Sequence, residues 1–579
     1  VFFITSTSQF DPASVGGARV APPLPERCGL SQEPESGRDL WRTVEPWIFL
    51  FVALLPLIPL WSVRHFPSQD GPLHLYNAVV FRDYGRGDRQ LFRQFFLQNH
   101  ELVPNWVCPH VLPLLLRFVS PEIAEKAILS AYLLLFPLSV RYSLNGVRKH
   151  AGRLAIAAMP FVPNQFYHMG FQDFCLSLPC FFFTFGFYLR HRRQMRYRDA
   201  GNLAVLLLVT YITHLLSAVM LLPAIGLCSL FIACKGWKPA RQIAGELLPV
   251  VLAFVPITLV TLFFILQPHP TAQPFQYPKG WTHRLYFMVS WMRGLDLAGL
   301  APATIVFGIY AIITTIITRQ LRRANLWHGA TSGLAGGLLA AMTLFLVIFL
   351  VSPDYLGGGA MLLVRLAAYP FFLLLLWWAA VPMSPAKFRQ LQIVAAGLSI
   401  PTLVFMLALN LHSYIQANRC LADFDGLAAQ IPANSTLLPI HFENFSVESP
   451  DNRSAVLATG VDPFRHAASL GLGERGVVDL GNEWASTDHQ SLRWQQELRP
   501  FSADLREPAI LDAYTRRTGM PIDYVVLWTG GLPHDDLEGR AYKAQLKQDY
   551  QLIYTSPGDG YLQLYRHKDE QASASASGN

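Results

Sequence analysis

Three side chains in this sequence combine a reactive type with an awkward position. Asp70 lies in FPSQDGPLHLYNAV, residues 66 to 79, just past an apolar run that ends near Val63. Asp173 lies in FYHMGFQDFCLSL, where a polar turn becomes another apolar run, and Arg365 lies near the start of a third, in GGGAMLLVRLAAYPFFLLLLWWA. A carboxylate at such a boundary can act as a general base, provided it reaches the hydroxyl whose proton it takes. A guanidinium there suits a phosphate, because its planar fork gives bidentate, charge-assisted hydrogen bonds. Each residue also has a plainer reading. Asp followed by Gly-Pro is a standard helix opening, which makes Asp70 an N-cap; Asp173 is an interfacial acid paired with His168; Arg365 snorkels to lipid headgroups. If Asp70 opens a helix, His74 lies one turn on along the same face.

The remaining polar groups near these boundaries are less specific. His110 (in VCPHVLPLLLRFV), His168 and His214 (in VTYITHLLSAV) lack metal-ligand spacing, so neither a metal nor any other cofactor is expected. Arg284 and Arg293, in WTHRLYFMVSWMRG, fit an amphipathic helix whose cations meet headgroups. Gly357, Gly358 and Gly359 either let backbone approach a ligand or keep a loop mobile. There is no glycine-rich nucleotide loop between a strand and a helix, no Walker-type lysine, no His-Glu-x-x-His and no Gly-x-Ser-x-Gly.

Apolar segments must position these groups. Of 579 residues 52% are apolar and only 15% charged, with repeated runs long enough for a hydrocarbon core of roughly 30 Å, so the chain is expected to be a polytopic α-helical membrane protein. Eleven spans are expected, at about 46–63, 122–142, 154–166, 171–189, 202–214, 216–234, 243–266, 301–318, 329–351, 362–381 and 391–411. The run 107–119 is short and carries His110, Pro113 and Arg117, which fits an interfacial or re-entrant helix. Counting it as a twelfth span would put the arginine-rich loops RHRRQMRYR and RQLRR outside, against the rule that short cytoplasmic loops collect Lys and Arg. Eleven spans with a cytoplasmic N-terminus put Asp70 and everything after 411 on the outer face. Residues 412–579 hold 14 Lys+Arg and 22 Asp+Glu, a net of −8 against +7 for the whole chain. That acidic part, 412–569, mixes helical and extended signals and is expected to be a periplasmic α/β domain. Residues 1–44 and 570–579 are expected to be a disordered cytoplasmic leader and a disordered tail.

The order of elements from 45 to 411 resembles the GT-C superfamily of membrane glycosyltransferases. It has a first span, an outer loop (64–121) with an acid near its start, then the Pro-His-x-x-Pro-Leu segment at Pro109, His110, Pro113 and Leu114. It looks similar to the branch of protein O-mannosyltransferases and aminoarabinose transferases, which use polyprenyl-phosphate sugars. The resemblance implies an inverting transfer of a sugar from such a donor to a lipid or glycan acceptor on the outer face of a bacterial inner membrane. Asp70 and Asp173 would be its catalytic acids, with His74, His110 and His168 along the substrate cavity. Arg365 opens a late span with an Arg-Tyr-x-x-Pro-like start, as in that branch, and His214 falls where relatives often carry Lys or His; both would hold the donor phosphate. The branch's frequent acid pair is here Asp70-Gly71, which leaves a carboxylate-bound metal unsupported. Two rivals remain: a transporter or flippase, which calls for broken helices near mid-membrane and an internal repeat, and a non-enzymatic assembly protein in which Asp70 only caps.

Overall fold

The computed structural model describes residues 36–101, 104–267, 275–278, 280–295, 297–356, 359–441, 446–449, 452–487, 490–500, 509–528, 537–557 and 561–568. Most of the expected leader, Gly357, Gly358 and the expected tail lie outside them. The chain divides into residues 1–48 and 49–579; of the first, only the beginning of a helix is described.

That helix, α1 (Ser36–Leu54), is followed after Leu55 and Pro56 by the short α2 (Leu57–Trp61). Proline lacks an amide donor, and the expected first span is divided there. Next come α3 (Gly71–Asp83), α4 (Gln90–Phe95), β1 (Phe96–Gln98) and α5 (Val107–Leu115). Helix α5 has nine residues, with Cys108, Leu112 and Pro113 buried; it packs on Leu75, Ala78 and Val79 of α3. A long α6 (Pro121–Val147) follows, opened by Ser120, Pro121 at its first position and Glu122 in its first turn.

The third expected span differs from expectation. Residues Ala151–Phe161 form a 3-10 helix of eleven residues, roughly 22 Å long at about 2.0 Å per residue, which is short of a hydrocarbon core. Every residue in it but Arg153 is buried, so protein surrounds it and lipid-spanning length is not required. Then follow α7 (Gln165–Met169), α8 (Gln172–His191), α9 (Tyr197–Thr213), α10 (Leu215–Ala233), α11 (Ala240–Leu266), α12 (Trp281–Ser290), α13 (Leu300–Arg323), α14 (Trp327–Ala330), α15 (Gly333–Val351), α16 (Leu362–Ala380) and α17 (Pro385–Ala428). Among the described residues, seven helices are long and apolar enough to cross a membrane: α6, α10, α11, α13, α15, α16 and α17. Helices α6 and α8 approach closely because Gly186 sits against Tyr142; a Cβ at Gly186 would lie 2.5 Å from that ring.

Helix α17 continues well past the expected boundary at 411, for 44 residues, or roughly 66 Å. It leads into β2 (Thr436–His441), the hairpin β3 (Ser446–Ser449) and β4 (Asn452–Thr459), α18 (Leu472–Arg475), β5 (Val478–Asp479), β6 (Leu492–Trp494), α19 (Ala509–Thr518), β7 (Tyr524–Trp528), α20 (Leu537–Asp549), β8 (Tyr550–Thr555) and β9 (Leu562–His567). The main sheet has the order β5-β2-β7-β9-β8, with β5, β2 and β7 parallel and β9 and β8 antiparallel. All of β7 (YVVLW) is buried, as a central strand covered on both faces requires.

This C-terminal region is fastened to the first loop. Strand β6 pairs with β1, Phe96 opposite Trp494. On α3, Tyr76 donates to the Val477 carbonyl at 3.0 Å and accepts from the Asp479 amide at 2.9 Å. Asn482 Nδ2 donates to Asn77 Oδ1 at 2.7 Å. The α3 face beyond Asp70 is therefore covered by residues from the far end of the chain.

Candidate active site

Asp70 occupies the N-cap position of α3, but its carboxylate makes no capping hydrogen bond. Its backbone is held instead. The Gln69 and Asp70 amides donate to the carbonyls of His168 and Met169, at 3.0 and 3.1 Å. Two glycines permit this lacing. Gly170 has φ +76°, and a Cβ there would lie 2.8 Å from the Gly71 amide nitrogen; a Cβ on Gly71 would collide with Ser68 and Glu125. The glycine of Gln-Asp-Gly-Pro is thus required by close packing.

Asp70 is buried, 7% exposed as a residue. Gln69 Nε2 donates to Oδ1 at 3.3 Å, and His466 Nε2 lies 3.7 Å from the same oxygen. Burial pushes the Asp70 pKa up to about 7, with Glu483 adding to the rise; Arg465, the Gln69 bond and Arg365 act against it. His466 Nε2 is buried, has no hydrogen-bond partner among the described residues and is also 3.7 Å from Glu483 Oε1. Burial first, then the charge of Arg465, holds His466 well below the usual histidine pKa, so its contact with Asp70 at neutral pH joins a neutral ring to the carboxyl. Gln69 is a link as well: its Oε1 accepts from the Asp462 amide at 3.1 Å, and Asp462 Oδ2 faces His441 Nε2 at 2.6 Å.

Arg365 stands in the first turn of α16 and hydrogen-bonds to none of the described residues; its Nε is buried and unpartnered. Its guanidinium lies over the ring of Phe171 at 4.2 Å and near Phe174 at 5.5 Å. Phe174 in turn meets the His214 ring edge-on at 5.1 Å. His214 joins α9 to α10, and its Nδ1 accepts from the Leu216 amide at 3.2 Å. Asp70, Arg365 and His214 are therefore grouped, Arg365 acting on Asp70 through its charge and on His214 through a shared aromatic.

Asp173 is differently occupied. Its Oδ1 accepts from the Cys108 amide at 2.9 Å, so the carboxylate caps α5. It does not pair with His168, contrary to the plain reading of the sequence. That ring donates from Nδ1 to the Asn164 carbonyl at 2.8 Å and accepts from the Tyr414 hydroxyl at 2.6 Å, fully buried. His110 donates to the Trp106 carbonyl and stacks on Trp106 at 3.7 Å. His74 donates from Nε2 to the Gly170 carbonyl at 3.1 Å and meets Trp484 edge-on; burial lowers its pKa to about 4. Among the described residues no group of three His, Cys, Asp or Glu could hold a metal ion.

No family model and no curated protein matches the chain. Its structure is similar to the crystal structure of ArnT from Cupriavidus metallidurans in the apo state. The two share 13% identity over 91% of this chain and 98% of that one, with a TM-score of 0.46.

Two arginines were expected at headgroups; both reach protein groups, and Arg293 is too deeply buried to meet lipid. Arg284 donates to the Phe349 and Ser352 carbonyls at 2.8 and 3.0 Å, satisfying the end of α15. Arg293 is wholly buried; Gln165, with its amide oriented to satisfy both neighbours, accepts from it at 2.9 Å. The residues that sequence reasoning missed are Gln69, Arg465, His466 and Glu483. For Arg465 and His466 the available signal was the charged cluster in DPFRHAAS, residues 462–469.

Proposed function

We propose that this chain is an inverting glycosyltransferase of GT-C type, which moves a sugar from a polyprenyl-phosphate donor to a lipid or glycan acceptor at the outer face of a bacterial inner membrane. The observation that carries this reading is the Asp70 carboxylate: buried, pushed up to about 7, and not spent on the helix it begins. A group so poised matches the demand on a general base near neutral pH. In the reaction, Asp70 takes the proton of the acceptor hydroxyl as that oxygen bonds to the anomeric carbon. The bond from that carbon to the phosphate oxygen breaks, and its electron pair leaves on the phosphate. Arg365, whose guanidinium has no hydrogen bond to give up among the described residues and whose Nε is buried and unpartnered there, meets the growing charge, with His214 beside it. Asp173 acts by holding α5, and with it His110, in the wall facing α3. Because Asp70 is so little exposed, segment 460–466 must move aside to admit substrate.

The proposal includes eleven crossings: the seven long helices together with α1–α2, the 3-10 segment, α8 and α9. The N-terminus is cytoplasmic, and residues 412–569 form a periplasmic domain that covers the site and selects the acceptor. A lipid-borne donor enters sideways from the bilayer, which accounts for the missing nucleotide loop. The test is a transfer assay on the purified full chain with extracted polyprenyl-phosphate sugars, comparing the wild type with Asp70→Asn and Asp70→Ala. Turnover that disappears in both, with folding retained, is the expected result; turnover retained in both refutes the role of Asp70.

A further inference from the structure

Helices α6, α8, α10 and α16 place their candidate-site ends together: Glu125, Asp173, His214 and Arg365 lie near one set of termini. Their opposite ends, with the start of α15, enclose a second feature. It is a cleft of about 440 Å³ lined by Arg148, Arg192, Arg193 and Lys235, with Ser332 and Gly333 at the opening of α15. Among the described residues no carboxylate lines it. From Glu125 to Arg148 along α6 is roughly 35 Å at about 1.5 Å per residue, so the cleft is remote from Asp70.

Loop cations that merely set topology need no fixed arrangement. These are held. Arg192 donates from Nη1 to the Gly146 carbonyl at 2.7 Å, and also to Leu189 and Val147. Arg148 donates to the Met383 carbonyl at 3.1 Å while its guanidinium lies 4.5 Å over Phe388. The stem of Lys235 rests against Gly333, 3.1 Å from where a Cβ would be. Arg193 and Lys235 are exposed and form no ion pair among the described residues. Burial, and then the like charge of Arg193, draws the Arg192 pKa below its ordinary value. Four cations are thus gathered just past the C-terminal ends of α6, α8 and α10, whose terminal carbonyls offset part of their charge, and among the described residues no carboxylate lines the cleft. The opening of α15 adds to this field, since the Ser332 side chain makes no cap and leaves the first amides of a 19-residue helix facing the same space.

We propose that this cleft binds a phosphate group, either the headgroup of an anionic phospholipid or a free phosphate at the membrane surface. Arg193 and Lys235 supply the mobile contacts, while Arg148 and Arg192 supply fixed positive potential. The inference does not depend on the proposed transferase activity, and its test needs no sugar substrate.

The full chain is titrated with inorganic pyrophosphate in detergent, and separately placed in phosphatidylcholine nanodiscs with increasing phosphatidylglycerol, with thermal unfolding as the readout in both. Saturable stabilisation is expected. The double variant Arg193→Gln/Lys235→Gln should weaken it on the order of tenfold or more, with its own unliganded Tm unchanged. The control Arg319→Gln/Arg323→Gln, which removes two exposed cations from the end of α13, should leave the affinity unchanged. Saturation by phosphatidylglycerol alone identifies a lipid headgroup, and saturation by pyrophosphate identifies a soluble anion; both support the site. Absence of saturation in both arms, or an equal loss in the control, overturns it.

Discussion

Asp70 and Asp173 are each 7% exposed and each lies at a helix opening, yet they spend their oxygens differently. Asp173 gives Oδ1 to the amide that begins α5. Among the described residues Asp70 leaves the amides of α3 alone and meets a long bond from Gln69 and a neutral imidazole. Equal burial therefore marks neither residue as reactive. What separates them is unspent hydrogen-bonding capacity: one carboxylate is committed to structure, whereas the other is charged at a cost to the fold and available to a ligand.

Four outcomes would break or sharpen that contrast. The largest effect is expected from Asp70→Asn, which should lower transfer by about 10²–10⁴-fold, the range for a lost general base, while unfolding shows stability kept or raised. Loss of both would make Asp70 another structural acid. The next concerns pH. A carboxyl whose folded pKa is about 7 and whose unfolded value is about 4 holds its proton longer when folded. Stability should therefore fall as pH rises from about 4 to 7 and level off above, while turnover rises over the upper part of that window. Asp70→Asn should flatten this component of the stability slope. Third, Gly170→Ala forces an alanine to φ +76° beside the Gly71 amide, and should cost about 1–3 kcal/mol by chemical denaturation. It should also lower turnover by displacing Asp70. Smallest is Asp173→Ala, which should cost about 0.5–2 kcal/mol, as for a lost N-cap, with only a modest change in kcat.

The same contrast shows what the sequence could disclose. Apolar runs and Asp-Gly-Pro punctuation were enough to find the long helices and the start of α3, because period, proline and glycine act over a few residues. They could not tell that 151–161 coils as a 3-10 helix, because its apolar composition fits a lipid-facing span as well as a shorter one enclosed by protein. Nor could they say where a carboxylate points. The partner of Asp173 is 65 residues away, and His466 reaches Asp70 only because β6 and the 477–482 loop fasten the C-terminal region to the first loop. Arg365 stands out in the sequence because a cation in an apolar run is locally conspicuous. Arg293 was equally conspicuous and was misplaced, since it is wholly buried and the amide that receives it comes from another element.

The most direct test of the account is a structure of the full chain with a polyprenyl phosphate bound. The phosphate is predicted to lie against the Arg365 guanidinium and near His214, with the Asp70 carboxylate facing the same space. A phosphate bound away from Arg365, or an Asp70 that remains sealed behind Gln69 and His466 with the lipid in place, would contradict the assignment.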